Sequence, residues 1–289
     1  MGAANVIPGV SGGTIALITG IYERLINSIK QCDLRALKLF ISGKFSAFWS
    51  HIDGAWLSTL LVGVAASIIT LARLFEFLLN THEKYTLAFF FGLILLSILY
   101  VARDIKQWRA TTIAALITGT AIAVAIATLA PATENDSLWY VFVCGVIAIS
   151  SMILPGLSGS FVLILMGNYA LVLGAISAFN LSILIPLALG CAFGLIAFSH
   201  ILSWVFKRYA DQTLALMTGF VVGSLVVIWP WKQATIATIE RAGKPPKQII
   251  ESYQWLLPSL QDSTTWLTIG LMILGALSIA AMERFARQQ

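Results

Sequence analysis

Pro8-Gly9-Val10-Ser11-Gly12-Gly13-Thr14 stands near the start of the chain, and Pro155-Gly156-Leu157-Ser158-Gly159-Ser160 restates it near the middle. In both, a proline without an N–H and a glycine without a Cβ interrupt an apolar stretch, so each break separates two half-helices. The likeness extends outward. Aligning residues 3–29 with 150–176 gives identity at Pro8/Pro155, Gly9/Gly156, Ser11/Ser158, Gly12/Gly159, Gly20/Gly167, Tyr22/Tyr169 and Ile29/Ile176. Further on, Thr86-Leu87-Ala88 matches Thr213-Leu214-Ala215, followed by Gly92/Gly219 and Ser97/Ser224. The chain is an internal duplication, and the first copy carries an extra polar, amphipathic segment at 30–50.

The composition says where such a duplication resides. Of 289 residues, 58% are hydrophobic and 11% charged, and the mean hydropathy is +0.88. Soluble domains carry roughly 25% charged residues, so a soluble enzyme, a disordered chain and a coiled-coil rod are excluded. Long apolar runs rather than short alternating strands point to helices, not a barrel. Spans are expected at 56–79, 85–102, 112–130, 182–206, 213–229 and 266–282, each about long enough for a hydrocarbon core near 30 Å. Each half then reads as a broken hairpin followed by three spans, repeat 1 over 1–130 and repeat 2 over 138–289. A hairpin crosses an even number of times and three spans an odd number, so the second half enters upside down. The expected fold is an all-α polytopic membrane protein with an inverted-topology repeat, each half a re-entrant helical hairpin plus three transmembrane helices. Segments 30–50 and 233–259 are expected as amphipathic surface helices against lipid headgroups. Seven residues precede Pro8 whereas about 16 apolar residues precede Pro155. Either the first arm begins upstream of Met1, or that hairpin lacks most of one arm.

The net charge is +5, but the 18 basic residues are scattered between apolar runs and form no stripe for nucleic acid. They read as topology signals. With the 24–53 region inside, twelve basic residues face the cytoplasm and five the outside, which predicts both termini cytoplasmic. The first residues lack a basic segment followed by an apolar core, so no cleavable signal peptide is expected. Cys32, Cys144 and Cys191, like His51, His82 and His200, show no ligand spacing, so neither metal, cofactor nor disulfide is expected. Trp108, Trp139, Trp229, Trp231, Trp255 and Trp266 fall at span ends, as an interfacial belt would.

The chemistry is expected at the two breaks. Each opens a helix whose first N–H groups lack intrahelical partners, at the positive end of the macrodipole, with glycines that admit close approach. That arrangement suits an anion such as phosphate, carboxylate or sulfate. The candidate binding set is Ser11, Gly12, Gly13, Thr14, Ser158, Gly159 and Ser160, with Pro8, Gly9, Pro155 and Gly156 making the breaks. The plainer reading is that serine caps the helix and glycine permits packing. Glu23 and Arg24 sit at the cytoplasmic end of the first hairpin, where Arg24 meets an anionic headgroup or merely anchors at the interface. Arg73 and Glu76, three residues apart, face one another as an ion pair or serve the substrate path. Thr86/Thr213 and Gly92/Gly219 are assigned to helix packing.

Asn5-Val6-Ile7-Pro8-Gly9-Val10-Ser11-Gly12-Gly13-Thr14, with Gly20-Ile21-Tyr22-Glu23-Arg24 downstream, resembles the signature of the polyprenyl-phosphate transporter family of bacterial and archaeal membrane proteins. The second copy and the span pattern extend the resemblance over nearly the whole chain. It implies translocation of undecaprenyl phosphate, the lipid carrier of envelope polymers, from the outer to the cytoplasmic leaflet of the bacterial inner membrane. The partners would be the polyprenyl phosphate and membrane lipids, with no enzymatic step and no cofactor. A coupling proton or sodium ion stays open, with Glu23 and Glu76 as carriers of the proton, and so does a homo-oligomer. Two alternatives stand beside it. A membrane undecaprenyl-diphosphate phosphatase has similar hairpins, but its Pro-Gly-x-Ser-Arg-Ser signature carries arginine where this chain has Gly12 and Gly159. A small-anion transporter would use the same site with a hydrophilic, sealed cavity.

Overall fold

A computed structural model describes residues 1–2, 11–129, 131–241, 244–259 and 261–286, leaving the side chains at 72, 76, 234–253, 282, 283, 285 and 286 undescribed. Pro8 and Gly9, the expected break of the first half, lie outside the described residues. In chain order the elements are α1 (Gly12–Ile18), α2 (Tyr22–Lys30), α3 (Leu34–Ile41), α4 (Phe45–His51), α5 (Gly54–Arg103) and α6 (Ala110–Thr128). They continue as α7 (Leu138–Ile153), α8 (Gly159–Leu165), α9 (Tyr169–Ser177), α10 (Leu181–Arg208), α11 (Ala210–Ser224), the hairpin β1 (Lys232–Arg241) and β2 (Lys244–Trp255), and α12 (Ser263–Ala286).

Among the described residues, five helical stretches are long and apolar enough to cross a bilayer: Gly54–Phe75, Phe77–Arg103, Ala110–Thr128, Leu181–Arg208 and Ser263–Ala281. The pair α8 and α9, bent by 112°, makes a sixth if it is one broken span. The chain is a multi-pass helical membrane protein. The span expected at 213–229 is corrected. Helix α11 stops at Ser224 after 15 residues, about 22 Å at 1.5 Å per residue. Its Thr213, Ala215, Met217, Phe220, Val221 and Ser224 are buried, and a helix packed inside protein is not held to the hydrocarbon width.

The polar stretch at 80–84 forms no loop either. Helix α5 runs through it, and only His82 leaves helical geometry (φ −138°, ψ 43°). The Thr86 hydroxyl lies 3.0 Å from the His82 carbonyl and 3.3 Å from that of Leu78, covering oxygens loosened by the kink. Its counterpart Thr213 donates to the Tyr209 carbonyl at 2.7 Å. The aligned threonines thus bond their hydroxyls at the same i−4 offset, and both are buried.

The aligned glycines do mark helix crossings. A Cβ on Gly92 would overlap the Met272 backbone, and one on Gly275 the Phe89 carbonyl, because α12 lies directly against the second arm of α5. In the same way Gly119 and Gly219 let α6 and α11 touch through the carbonyls of Leu216 and Leu116. Small residues at these points allow backbone-to-backbone contact, which supplies dispersion energy where lipid offers no hydrophobic drive.

Segment 30–50 forms two short amphipathic helices. Asp33 caps α3, its carboxylate accepting the N–H groups of Arg35 and Ala36 at 2.9 Å each. Leu34, Leu37, Phe40, Ile41, Phe45 and Trp49 are exposed along α3 and α4. Segment 233–259 corrects the other expectation, since it folds mainly as an antiparallel hairpin from Lys232↔Trp255 to Arg241↔Lys244. β-Branched residues at Thr235, Ile236, Thr238 and Ile239 favour strand, and Pro245-Pro246 stops a helix. Trp229 and Trp255 are not simply part of a belt. Their indole N–H groups donate to Leu256 and Val226 carbonyls at 3.0 Å each, fastening the hairpin base beside α11.

Candidate functional site

The second break is built by local rules. Leu154 precedes proline and is extended (φ −68°, ψ 131°), which ends α7. Gly156 turns the chain in the left-handed region (φ +81°), where a Cβ would stand 2.6 Å from the Phe220 carbonyl oxygen. Ser158, extended again, starts α8.

Ending a helix at a proline strands its last carbonyls, and the first half of the chain supplies their donors. The Tyr22 hydroxyl donates to the Ile153 carbonyl at 3.0 Å, and the Ser11 hydroxyl lies 3.5 Å from the Leu154 carbonyl. In the reverse sense, the Gly156 N–H donates to Thr14 Oγ1 at 2.8 Å. Gly13 fits because it has no side chain, since a Cβ there would lie 2.7 Å from the Ile153 carbonyl oxygen. Ser11, Thr14 and Tyr22 are all buried. The structure therefore joins Ser11, Gly13 and Thr14 of the first segment to the Pro155-Gly156 break of the second.

The two helix starts differ in chemistry. At α1, Ser11 Oγ accepts the Gly13 N–H at 3.1 Å and its carbonyl accepts that of Thr14 at 3.0 Å, so the N-terminus is capped from within. At α8, Ser158 makes no cap bond; its hydroxyl lies 2.8 Å from that of Ser160, which is exposed. Gly12 and Gly159 are buried. A Cβ on Gly159 would come within 2.7 Å of the Ala148 carbonyl oxygen. Past both short helices the chain turns at an aligned glycine with positive φ, Gly20 at +71° and Gly167 at +76°.

Helix α2 carries the expected pair Glu23 and Arg24, both exposed. They line an open pocket of about 600 Å³ with Asn27 and Ser28 from the same helix face, Gly20 and Gln31 just beyond its ends, and Ser50, His51 and Asp53 from the following segment. Arg24 Nε is 2.7 Å from Asp53 Oδ2, and the guanidinium carbon lies 4.8 Å from the centre of the Trp56 ring. His51 Nε2 stands 3.3 Å from Asp33 Oδ1. The Ala36 N–H, aided by His51 and the Arg35 N–H, holds the Asp33 carboxyl below its ordinary pKa. Arg73 is exposed on the first arm of α5 and does not line this pocket. The side chain of Glu76, its expected partner, lies outside the described residues.

Residues 1–245 match a family described as undecaprenyl phosphate translocase-like. The chain belongs to that family. It is 41% identical over 291 residues to a Vibrio cholerae protein named polyprenyl-phosphate transporter, covering 100% of this chain and 94% of the relative. A Staphylococcus aureus protein of the same name is 34% identical over 250 residues, covering 80% of this chain and 83% of the relative. No solved structure matches.

In this undecaprenyl phosphate translocase-like chain, sequence reasoning missed Asp53, the partner of Arg24, and Tyr22, the donor to Ile153. It also passed over Asn27, Ser28 and Gln31. Their spacing from Glu23 and Arg24 places them on one helix face and was available as a signal. The Asp53-Gly54 pair before a long apolar run was another.

Proposed function

We propose that this protein carries undecaprenyl phosphate, or a close polyprenyl phosphate, from the outer to the cytoplasmic leaflet of the bacterial inner membrane, with both termini in the cytoplasm. The names of the two relatives support the substrate class. The observation that carries the reading is the hydrogen bond from the Gly156 N–H to Thr14, which ties the start of α1 to the Pro155-Gly156 break. A charged phosphate cannot cross hydrocarbon bare, at a cost of several kcal/mol or more, while a prenyl tail can stay in lipid. The α8 start, where Ser158 makes no cap bond, offers backbone donors in place of water, and irregular backbone at membrane depth is tolerated where it faces protein or a cavity.

The two halves act as an inverted repeat of 1–130 and 138–289. Positive φ at both Gly20 and Gly167, the matched bonds of Thr86 and Thr213 and the exchanged glycine crossings support that symmetry. Ser158 and Ser160 form the more open tip, with Gly159 between them, and Ser11, Gly12, Gly13 and Thr14 the closed one. Arg24, with Glu23 beside it, receives the headgroup in the pocket at the end of α2. Arg73, on the first arm of α5, serves the path from the outer side. Exchange between tips gives alternating access, driven by a proton or sodium ion.

Binding of undecaprenyl phosphate to the purified protein tests this. Replacing both Ser158 and Ser160 by alanine should weaken it about a hundred-fold or more, the loss of two hydrogen bonds to a charged group. Release of inorganic phosphate should be nil. Unchanged affinity in the double variant, or steady phosphate release, overturns the assignment.

A further inference from the structure

The residue that occupies Arg24 has an unusual setting. Asp53 stands at the N-cap of α5, where an aspartate ordinarily turns its carboxylate onto the N–H groups of the first turn. It makes no such bond. Its backbone is left-handed (φ 52°, ψ 45°), a conformation that costs a side-chain-bearing residue and that asparagine, aspartate and glycine tolerate best. The next residue, Gly54, is held close under Trp49, whose ring a Cβ would approach to 2.5 Å. This turn delivers the carboxylate to Arg24 Nε at 2.7 Å, at the mouth of the pocket. Arg24 thus meets an indole and a carboxylate at once.

We propose that Asp53 is an internal counter-anion: it holds Arg24 while no headgroup is bound, yields it to the phosphate, and reclaims it when the lipid leaves. The proposal rests on the reading that Arg24 receives the headgroup. Both side chains are partly solvent-exposed, at 54% and 36%, so the pair is weak enough to exchange. A phosphate brings about two negative charges and three acceptor oxygens and can engage the guanidinium in a fork, which a single carboxylate contact at Nε does not match. Glu23 and His51 also line the pocket, yet among the described residues the carboxylate paired with Arg24 is that of Asp53. Without a returning anion, Arg24 would keep the phosphate it had captured. Asp53 is therefore a positioning residue for release rather than a ligand.

The test is binding and release of farnesyl phosphate and undecaprenyl phosphate by the full chain in lipid nanodiscs. Asp53→Asn keeps the shape and the tolerance for left-handed backbone while removing the charge. It should bind both phosphates about five-fold tighter and release them slower by a similar factor, as expected for removing an exposed ion pair. The thermal midpoint should stay unchanged. Arg24→Gln should lose binding in both the wild-type and the Asp53→Asn background. Should Asp53→Asn fold poorly, Asp53→Gly supplies the same turn without the carboxylate and decides the question in its place. Equal or weaker affinity on removing the carboxylate, with Arg24→Gln still losing binding, overturns the counter-anion and leaves the headgroup site intact. Wild-type binding by Arg24→Gln removes the headgroup site, and the counter-anion falls with it.

Discussion

Thr14 accepts the Gly156 N–H from the opposite half of the chain, and both residues are buried. Removing the hydroxyl strands that N–H away from solvent. Thr14→Val should lower stability by about 1–3 kcal/mol, the cost of an unmade buried hydrogen bond, read as a lower thermal midpoint in detergent. Thr14→Ser should restore most of it. The sequence singled out Thr14 as a hydroxyl donor to an anion; its role as the acceptor of the Gly156 N–H was not legible. Local spacing shows that a helix begins at Gly12 with a serine cap; it does not show that the stranded carbonyls of Ile153 and Leu154 take donors from Tyr22 and Ser11. Asp53 escaped for a similar reason, since its left-handed backbone and its bond to Arg24 depend on the packing of Trp49 against Gly54.

Apolar runs identified most of the helices correctly, because length and composition alone decide what can cross a bilayer. Where they misled, packing had taken over. Helix α11 ends early because it lies in the protein core, and 232–255 pairs as strands because β-branched residues and two prolines outweigh its amphipathic pattern. The crossing of α12 over α5 offers a clean test of packing at this scale. Gly92→Ala places a methyl against the Met272 backbone, whereas a methyl on Gly63, on the other arm of the same helix, would meet no atom within 4 Å. Gly92→Ala should lower the thermal midpoint clearly, by a penalty on the order of 1–3 kcal/mol for overpacking. Gly63→Ala should leave it unchanged or raise it, since alanine is favoured in a helix by up to about 1 kcal/mol. Equal effects at the two glycines would show that the close crossing contributes nothing.

For the molecule as a whole, contacts between helices far apart in the sequence organise the fold. Helix α6 packs on α11 and α12 on α5, and the segments meet again at the Pro155-Gly156 break, where Tyr22 of α2 donates to the Ile153 carbonyl and Thr14 of α1 accepts the Gly156 N–H. Aligned glycines and prolines suggested a repeat; the packing of α6 on α11 and of α12 on α5 was not readable, because residue identity does not state which helix faces which. Full-length similarity to polyprenyl-phosphate transporters fits a machine whose task is to carry one charged group past a core that repels it. The decisive measurement uses purified protein in sealed vesicles with undecaprenyl phosphate placed in the outer leaflet, following headgroup accessibility and free phosphate together. The account predicts that the headgroup disappears from the outer leaflet intact, at a rate proportional to protein and reduced by Arg24→Gln. Folded protein that leaves the headgroup where it was placed, or that liberates phosphate from it, would contradict the account.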